Sequence, residues 1–168
     1  MKEQFLKTML VCGIGLTFML SCSRRITPSA TSYYTYQTEC VGSELDGSQT
    51  LKAYGLGNTR GDATEQAKKN AIRDVLFKGN FTGSRECQYR PLLMEVNAAE
   101  KYATYFNVFF RDRGAYTQYV SLRDERFVER INRAPVTGNR DQDMYSAVVR
   151  VQREELRQLL IRDGILNQ

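Results

Sequence analysis

Histidine and tryptophan are both missing from this chain of 168 residues, and only three prolines and four cysteines occur. Histidine is the commonest general base and a frequent zinc ligand, so its absence excludes Ser–His and Cys–His catalysis and histidine metal sites. The cysteines form no closely spaced pair of the kind that binds zinc. We therefore expect no catalytic residue, no metal and no cofactor, and a protein that is not an enzyme.

A strong excess of one charge is also missing. The chain has 24 lysines and arginines against 19 aspartates and glutamates, a formal net charge of +5. The arginines between Arg111 and Arg162 are interleaved with carboxylates, a pattern typical of solvated, salt-bridged surfaces. We expect no nucleic-acid partner, because such proteins usually carry a basic patch of one sign.

No apolar run in the sequence is long enough for a membrane span. Lys2 and Lys7 precede thirteen uncharged residues, Thr8 to Leu20, whereas a spanning helix needs about 20 apolar residues. A positively charged start followed by a short apolar segment is typical of a secretory signal peptide. We assign residues 1–21 to such a peptide.

Residues 19–22 (Met-Leu-Ser-Cys) resemble the lipobox of bacterial lipoproteins. The resemblance implies cleavage before Cys22 and lipidation of its thiol, with acyl chains such as palmitate anchoring the protein to a membrane. Ser23 is similar to the residue that directs such lipoproteins to the outer membrane. Arg24 and Arg25 stand where signals for export to the cell surface are acidic, so we expect the periplasmic face.

The residues after Cys22 are mostly small and polar up to Ser32, as in a flexible tether. An extended tether over residues 22–32 would reach about 30 Å from the bilayer. Residues 33–168 have an ordinary length for one domain with its own core. We predict a signal peptide (1–21), a flexible tether (22–32) and a single α+β domain (33–168).

Two cysteines remain if Cys12 leaves with the signal peptide and Cys22 is acylated. Cys40 and Cys87 are then the only intramolecular pair, and disulfides persist in an oxidising periplasm. We predict a disulfide between Cys40 and Cys87, with two buried thiols as the alternative.

The first half of the domain predicts two strands and a helix. Strands are favoured over residues 33–41 and 49–56, with a hairpin turn between them. Asp62, with a glutamate three residues on, is typical of a helix start, and Gly79 of a helix end. Alanines at every fourth position would let this helix lie close to a sheet.

The second half echoes this order. We predict a helix over residues 97–114, strands over 116–122 and 145–151 separated by a turn within 134–141, and a leucine-containing helix over 154–163. The fold class is therefore α+β, with two strand-strand-helix units forming an antiparallel sheet and the helices packed on one face.

A second resemblance is carried by the strand Leu-Lys-Ala-Tyr-Gly-Leu-Gly (residues 51–57), the alanine-spaced helix after it, and a late strand leading into a leucine helix. This arrangement is similar to small outer-membrane lipoproteins of the Lpp-twenty type and to the N-terminal domain of flagellar assembly protein T, over about residues 49–78 and 144–160. The resemblance implies an envelope scaffold and assigns no functional residue.

Gly55, Gly57 and Gly61 follow a predicted strand and precede a predicted helix, as in dinucleotide-binding loops. The predicted hairpin argues against that function, since the fingerprint belongs to a parallel βαβ unit. We interpret these glycines as a tight turn that leads into the helix.

Five aromatic residues, spaced by three and four positions, place their rings on one broad helix face: Tyr102, Tyr105, Phe106, Phe109 and Phe110. Aromatic rings bury large apolar areas, so packing against the sheet is our main interpretation. If exposed, the same rings would form a docking face for a partner or a ligand.

Together these features favour a non-catalytic, membrane-anchored lipoprotein that faces the periplasm and acts as a structural or accessory subunit of a cell-envelope assembly. Its expected partners are the membrane, through the lipid anchor, and an envelope protein. The alternative is a binding module that holds an apolar ligand, a lipid or a cell-wall fragment, between the aromatic helix and the sheet.

Overall fold

The computed structural model describes residues 37–79, 82–87, 90–123, 128–131 and 143–167. The predicted signal peptide, the predicted tether and the predicted turn within 134–141 lie outside the described residues.

The described residues form strands and helices in the following order: β1 (Glu39–Ser43), β2 (Gln49–Gly57), α1 (Arg60–Arg73) continued by a π-helical turn (Asp74–Lys78), β3 (Thr82–Gly83), α2 (Ala98–Lys101), α3 (Ala103–Phe109), a 3-10 helix (Ala115–Gln118), β4 (Val120–Leu122), β5 (Glu129–Ile131), β6 (Asp143–Val151) and α4 (Arg153–Arg162). The predicted α+β class is confirmed.

The strands form one sheet in the order β3-β1-β2-β6-β4, and β5 also pairs with β6. The long pair β2–β6 is antiparallel, with Ala53 opposite Ala147, and the pairs β1–β2, β4–β6 and β5–β6 are antiparallel as well. β1 and β3, however, run parallel. The prediction of an antiparallel sheet is therefore wrong for this pair, because the chain crosses over through α1 before it returns beside β1.

Helix α1 packs directly on β2 and β6. Its alanine stripe is fully buried at Ala63, Ala67 and Ala71, as the four-residue spacing predicts. Leu51 and Val149 lie opposite each other in the sheet and share one buried core with residues of α1, α3 and α4. The helices thus contribute to a core on one face of the sheet.

Thr59, and not Asp62, caps the start of α1. The Thr59 hydroxyl oxygen accepts a hydrogen bond from the backbone nitrogen of Asp62 at 3.1 Å, and the helix begins at Arg60. The predicted end at Gly79 is confirmed, since Gly79 has a φ of +82° and its nitrogen donates to the carbonyl of Asp74. Glycine adopts this conformation without steric cost.

The aromatic segment is broken into α2 and α3 at Tyr102, whose φ of −106° and ψ of 26° lie outside the helical range. Helix α3 ends at Phe109, so the prediction of one helix to residue 114 is wrong.

The strand predicted over 116–122 is also too long. Tyr116 and Tyr119 both pack on the core, and their spacing of three suits a 3-10 turn, whereas a strand would alternate its faces.

Candidate functional site

Cys40 and Cys87 form a disulfide, which confirms the predicted pair. Cys40 lies in β1 and Cys87 in the loop after β3, with their Cα atoms 6.3 Å apart. Both residues are buried in the core. The bond therefore fastens the β3 loop to one edge of the sheet.

Cys22, the predicted lipidation site, lies outside the described residues. No helix in the described part of the chain is long and apolar enough for a membrane span. A group of three or more potential metal ligands is likewise missing from the described residues.

The predicted aromatic face is divided between the core and the surface. Phe106, Phe109 and Phe110 are buried, whereas Tyr102 and Tyr105 are partly buried and pack against the core. The rings of Phe106 and Phe77 meet edge to face with centroids 4.9 Å apart. Most of this ring face therefore packs inside the domain. Three other apolar side chains nearby in the sequence are exposed: Met94 and Val96 before α2, and Val108 in α3.

Tyr105 connects the aromatic segment to the end of α4. Its hydroxyl donates a hydrogen bond of 2.7 Å to Asp163. Partial burial, followed by the hydrogen bond and the negative charge of Asp163, raises the pKa of Tyr105. The phenol therefore stays protonated and acts as a structural donor.

The most distinctive polar feature is an open groove of about 740 Å³ beside the start of α1. One wall is the end of β2 with the first turns of α1, and the other is formed by Asp112 and Arg113 with the 3-10 helix. In the first wall, Gly55 and Gly57 allow β2 to pack closely against α1. A Cβ atom on Gly55 would lie 2.0 Å from the carbonyl oxygen of Ala63, and one on Gly57 would lie 2.4 Å from its nitrogen.

The floor of the groove is a hydrogen-bonded cluster around Glu65. Tyr116, which is almost fully buried, donates to one carboxylate oxygen at 2.9 Å, and Lys68 donates to the other at 2.6 Å. Partial burial acts to raise the pKa of Glu65, but the hydrogen bonds from Lys68 and Tyr116 outweigh it, so the pKa is lowered. Burial and the bond to Glu65 raise the pKa of Tyr116.

The rim of the groove is formed by Lys69, Asp112 and Arg113. Lys69 donates to Asp112 at 2.9 Å, and its ammonium group lies 5.3 Å from the centroid of the Tyr116 ring. The hydrogen bond from Lys69 lowers the pKa of Asp112. Arg113 has a φ of +56°, an uncommon conformation for a residue with a side chain.

Comparison with protein-family models, curated proteins and solved structures found no match for this chain.

The sequence motifs did not point to this groove. Glu65 and Tyr116 lie 51 positions apart, so only the folded chain brings them together. The sequence predicts a tight turn at Gly55, Gly57 and Gly61, and two of these glycines, Gly55 and Gly57, lie beside the groove. Their actual role is close packing, since neither glycine has a positive φ.

Proposed function

We propose that this chain is a non-catalytic, lipid-anchored protein on the periplasmic face of the outer membrane, where it acts as a structural or accessory subunit of a cell-envelope assembly. The lipid would be attached at Cys22, and residues 22–32 would be the tether. The observation that carries the proposal is the Cys40–Cys87 disulfide.

A disulfide bears on location because the cytosol keeps thiols reduced, whereas the periplasm allows disulfides to persist. This bond is therefore typical of an exported protein. A signal peptide with a lipobox would direct such export. The disulfide therefore supports the same compartment as residues 1–22, although the two features share no residue.

The proposed mechanism is positioning. A tether of about 30 Å confines the domain near the bilayer, which raises its effective concentration for a neighbouring envelope protein without high intrinsic affinity. Apolar side chains at Met94, Val96 and Val108 are exposed and suit a contact with such a partner. Nucleic acid has no place among the proposed partners.

The alternative, an apolar ligand held between the aromatic helix and the sheet, stays a prediction. Phe106, Phe109 and Phe110 are buried, and the Phe109 and Phe110 centroids are only 5.0 Å apart. Rings packed in this way occupy the space that such a ligand would need. We therefore prefer the accessory-subunit function.

Intact mass spectrometry of the membrane-extracted protein tests the proposal. We expect a chain that starts at Cys22 and carries a diacylglycerol group and an additional acyl chain, with Cys40 and Cys87 oxidised. The variant Cys22→Ala should lose the acyl mass, whereas the matched control Cys12→Ala should keep it. Recovery of an unprocessed, unacylated chain with free thiols in the cytosol would contradict the proposal.

Crosslinking in intact cells tests the accessory role separately. After mild detergent extraction, the wild-type protein should bring down a defined envelope protein, and Cys22→Ala should lose most of it. If repeated crosslinking recovers only the monomer, the accessory function is wrong even where lipidation is found.

A further inference from the structure

We propose that the groove beside α1 binds the carboxylate of a small polar molecule, with Lys69 and Arg113 as the cations that hold it. The inference rests on the geometry of the described residues and does not depend on attachment to a membrane. Four observations lead to it.

The first observation is that the charged side chains of the groove differ in whether they have hydrogen-bond partners among the described residues. Each of the three carboxylates that line the groove accepts a hydrogen bond: Asp62 from the Thr59 hydroxyl at 2.9 Å, Glu65 from two donors and Asp112 from Lys69. Arg113, in contrast, makes no hydrogen bond or ion pair with the residues that the structure describes. Judged by the described residues, the groove therefore offers a free cation more readily than a free carboxylate.

The second observation is that Lys69 can exchange its partner at little cost. The side chain of Asp112 is 99% exposed, and an ion pair with so exposed a residue contributes little to stability. The Lys69 side chain is 16% exposed and lies over the Tyr116 ring. Its position is thus fixed by packing, and Asp112 occupies the place that a ligand carboxylate would take.

The third observation is the location of Arg113 directly after Asp112, on the same rim. A guanidinium group forms two parallel hydrogen bonds to a carboxylate, a geometry that lysine cannot provide. The backbone at Arg113 is left-handed, a strained conformation for a residue with a side chain that is often found at binding sites. Since both residues line the groove, a carboxylate bound there would meet the charges of Lys69 and Arg113.

The fourth observation concerns size and polarity. A groove of about 740 Å³ lies within the range of small-molecule sites, about 300–1,000 Å³. Besides the charged residues, it is lined by the polar side chains of Asn58, Gln66 and Thr117. The ligand is therefore a polar molecule with a carboxylate, and the two sources of that chemistry are the free C-terminus of a short peptide and a sugar acid.

Titration of the purified full-length chain in detergent, followed by NMR or calorimetry, tests the proposal with four probes. The acids are N-acetyl-trialanine with a free C-terminus and glucuronate, and their neutral counterparts are N-acetyl-trialanine amide and glucose. Saturable binding of either acid, and of neither neutral probe, supports the proposal and identifies the source. Equal behaviour of acids and neutral probes, or no saturation with any of the four, overturns it.

Three variants connect binding to the named residues. Arg113→Gly removes the charge and retains the backbone conformation, because glycine tolerates a positive φ. This variant should bind the acid about tenfold or more weakly, because a charge-assisted hydrogen-bonded pair is lost. Arg111→Gln removes the same charge nearby, outside the groove lining, and should leave binding within about twofold. Equal weakening by both variants would show a general charge effect and overturn the site.

Asp112→Asn gives a result that a merely structural role would not produce. Removing the internal carboxylate should strengthen binding of the acid several-fold, because Lys69 no longer has a competing partner. Thermal unfolding of each variant checks that the fold is retained. An Asp112→Asn variant that is folded and binds the acid no more tightly than wild type would overturn the exchange between Asp112 and the ligand.

Discussion

Gly55 and Gly57 determine how closely α1 approaches β2. Neither residue adopts a positive φ, so conformational freedom is not the reason for glycine at these positions. The reason is space: a Cβ atom on Gly55 would lie 2.0 Å from the carbonyl oxygen of Ala63, far inside van der Waals contact. The glycines of β2 and the alanines of α1 therefore act together, each removing bulk from one side of the same interface.

Gly55→Ala should lower the free energy of unfolding by about 1–3 kcal/mol or more, the usual cost of overpacking. Gly42→Ala is the matched control, because no heavy atom lies within 4 Å of its added Cβ, and such surface changes stay within about 0.5 kcal/mol. Urea unfolding of the two variants measures the difference. Equal stability of both variants would show that α1 does not pack on β2 at this distance.

Tyr116→Phe should raise the pKa of Glu65 towards its ordinary value of 4.5, because the phenol hydrogen bond that stabilises the carboxylate is lost. A lowered pKa in the folded state contributes stability above the unfolded pKa, and this contribution disappears as the pH falls through the folded pKa. The variant should therefore lose less stability than wild type on acidification through the range below 4.5.

A carboxyl-detected NMR titration of Glu65 checks this pKa directly. Tyr119→Phe serves as control, because Tyr119 is not among the causes of the Glu65 shift. An unchanged Glu65 pKa in Tyr116→Phe would mean that the lysine contacts alone lower it.

The aromatic segment shows how helix pieces and the sheet share one core. Helix α3 directs Phe106 and Phe109 inward, while the Tyr105 hydroxyl reaches Asp163 at the end of α4. Two carbonyl groups of the π-helical turn that continues α1, those of Val75 and Leu76, accept backbone hydrogen bonds from the loop that precedes α2. The segment is thus held by the loop that precedes it and by Tyr105 within it, and its buried rings pack in the core.

Phe106→Ala should destabilise the domain by about 3–5 kcal/mol, because a buried ring is replaced by a cavity. Val108→Ala lies two residues away on the same helix, and its side chain is 57% exposed. We expect that control to change stability by less than about 0.5 kcal/mol. Similar unfolding midpoints for the two variants would contradict the core role of the rings and favour a docking face.

Hydrophobic periodicity and turn residues were sufficient to predict most of the regular elements. The alanine stripe predicted the packed face of α1, and Gly79 predicted its end. The break at Tyr102 carried no such signal, since neither glycine nor proline stands there. The aromatic spacing of three and four continues across Tyr102, so periodicity alone predicts one continuous helix there.

The sequence pattern predicts neither the parallel strand β3 nor the groove, and the reason is the same for both. β3 has only two residues, and its attachment depends on bonds to β1, such as that from the Ser84 nitrogen to the Cys40 carbonyl. The groove combines the start of α1 with a loop more than forty positions later, as the Lys69–Asp112 pair shows. Periodicity reports neighbours along one element, whereas both features join distant parts of the chain.

Across the whole molecule, the strands of the sheet differ in how many residues they pair. The central strands β2 and β6 pair along nine residues each, while β1 carries a bulge between Cys40 and Gly42 and β3 contributes two residues. A short strand at the edge holds few ladder hydrogen bonds, so its position is weakly determined by pairing alone. The Cys40–Cys87 disulfide supplies the missing constraint at this edge.

The double variant Cys40→Ala/Cys87→Ala should therefore lose about 4 kcal/mol of stability on the chain-entropy model for a sequence separation of 47 residues. Hydrogen exchange should speed up in β1 and β3 first, while the β2–β6 pair keeps its protection until global unfolding. Complete reduction of the wild-type protein should reproduce both effects, and the same reductant should leave the double variant unchanged. If reduction with verified free thiols does not move the unfolding midpoint of the wild type, then packing of the Cys40 and Cys87 side chains holds this edge without the covalent bond.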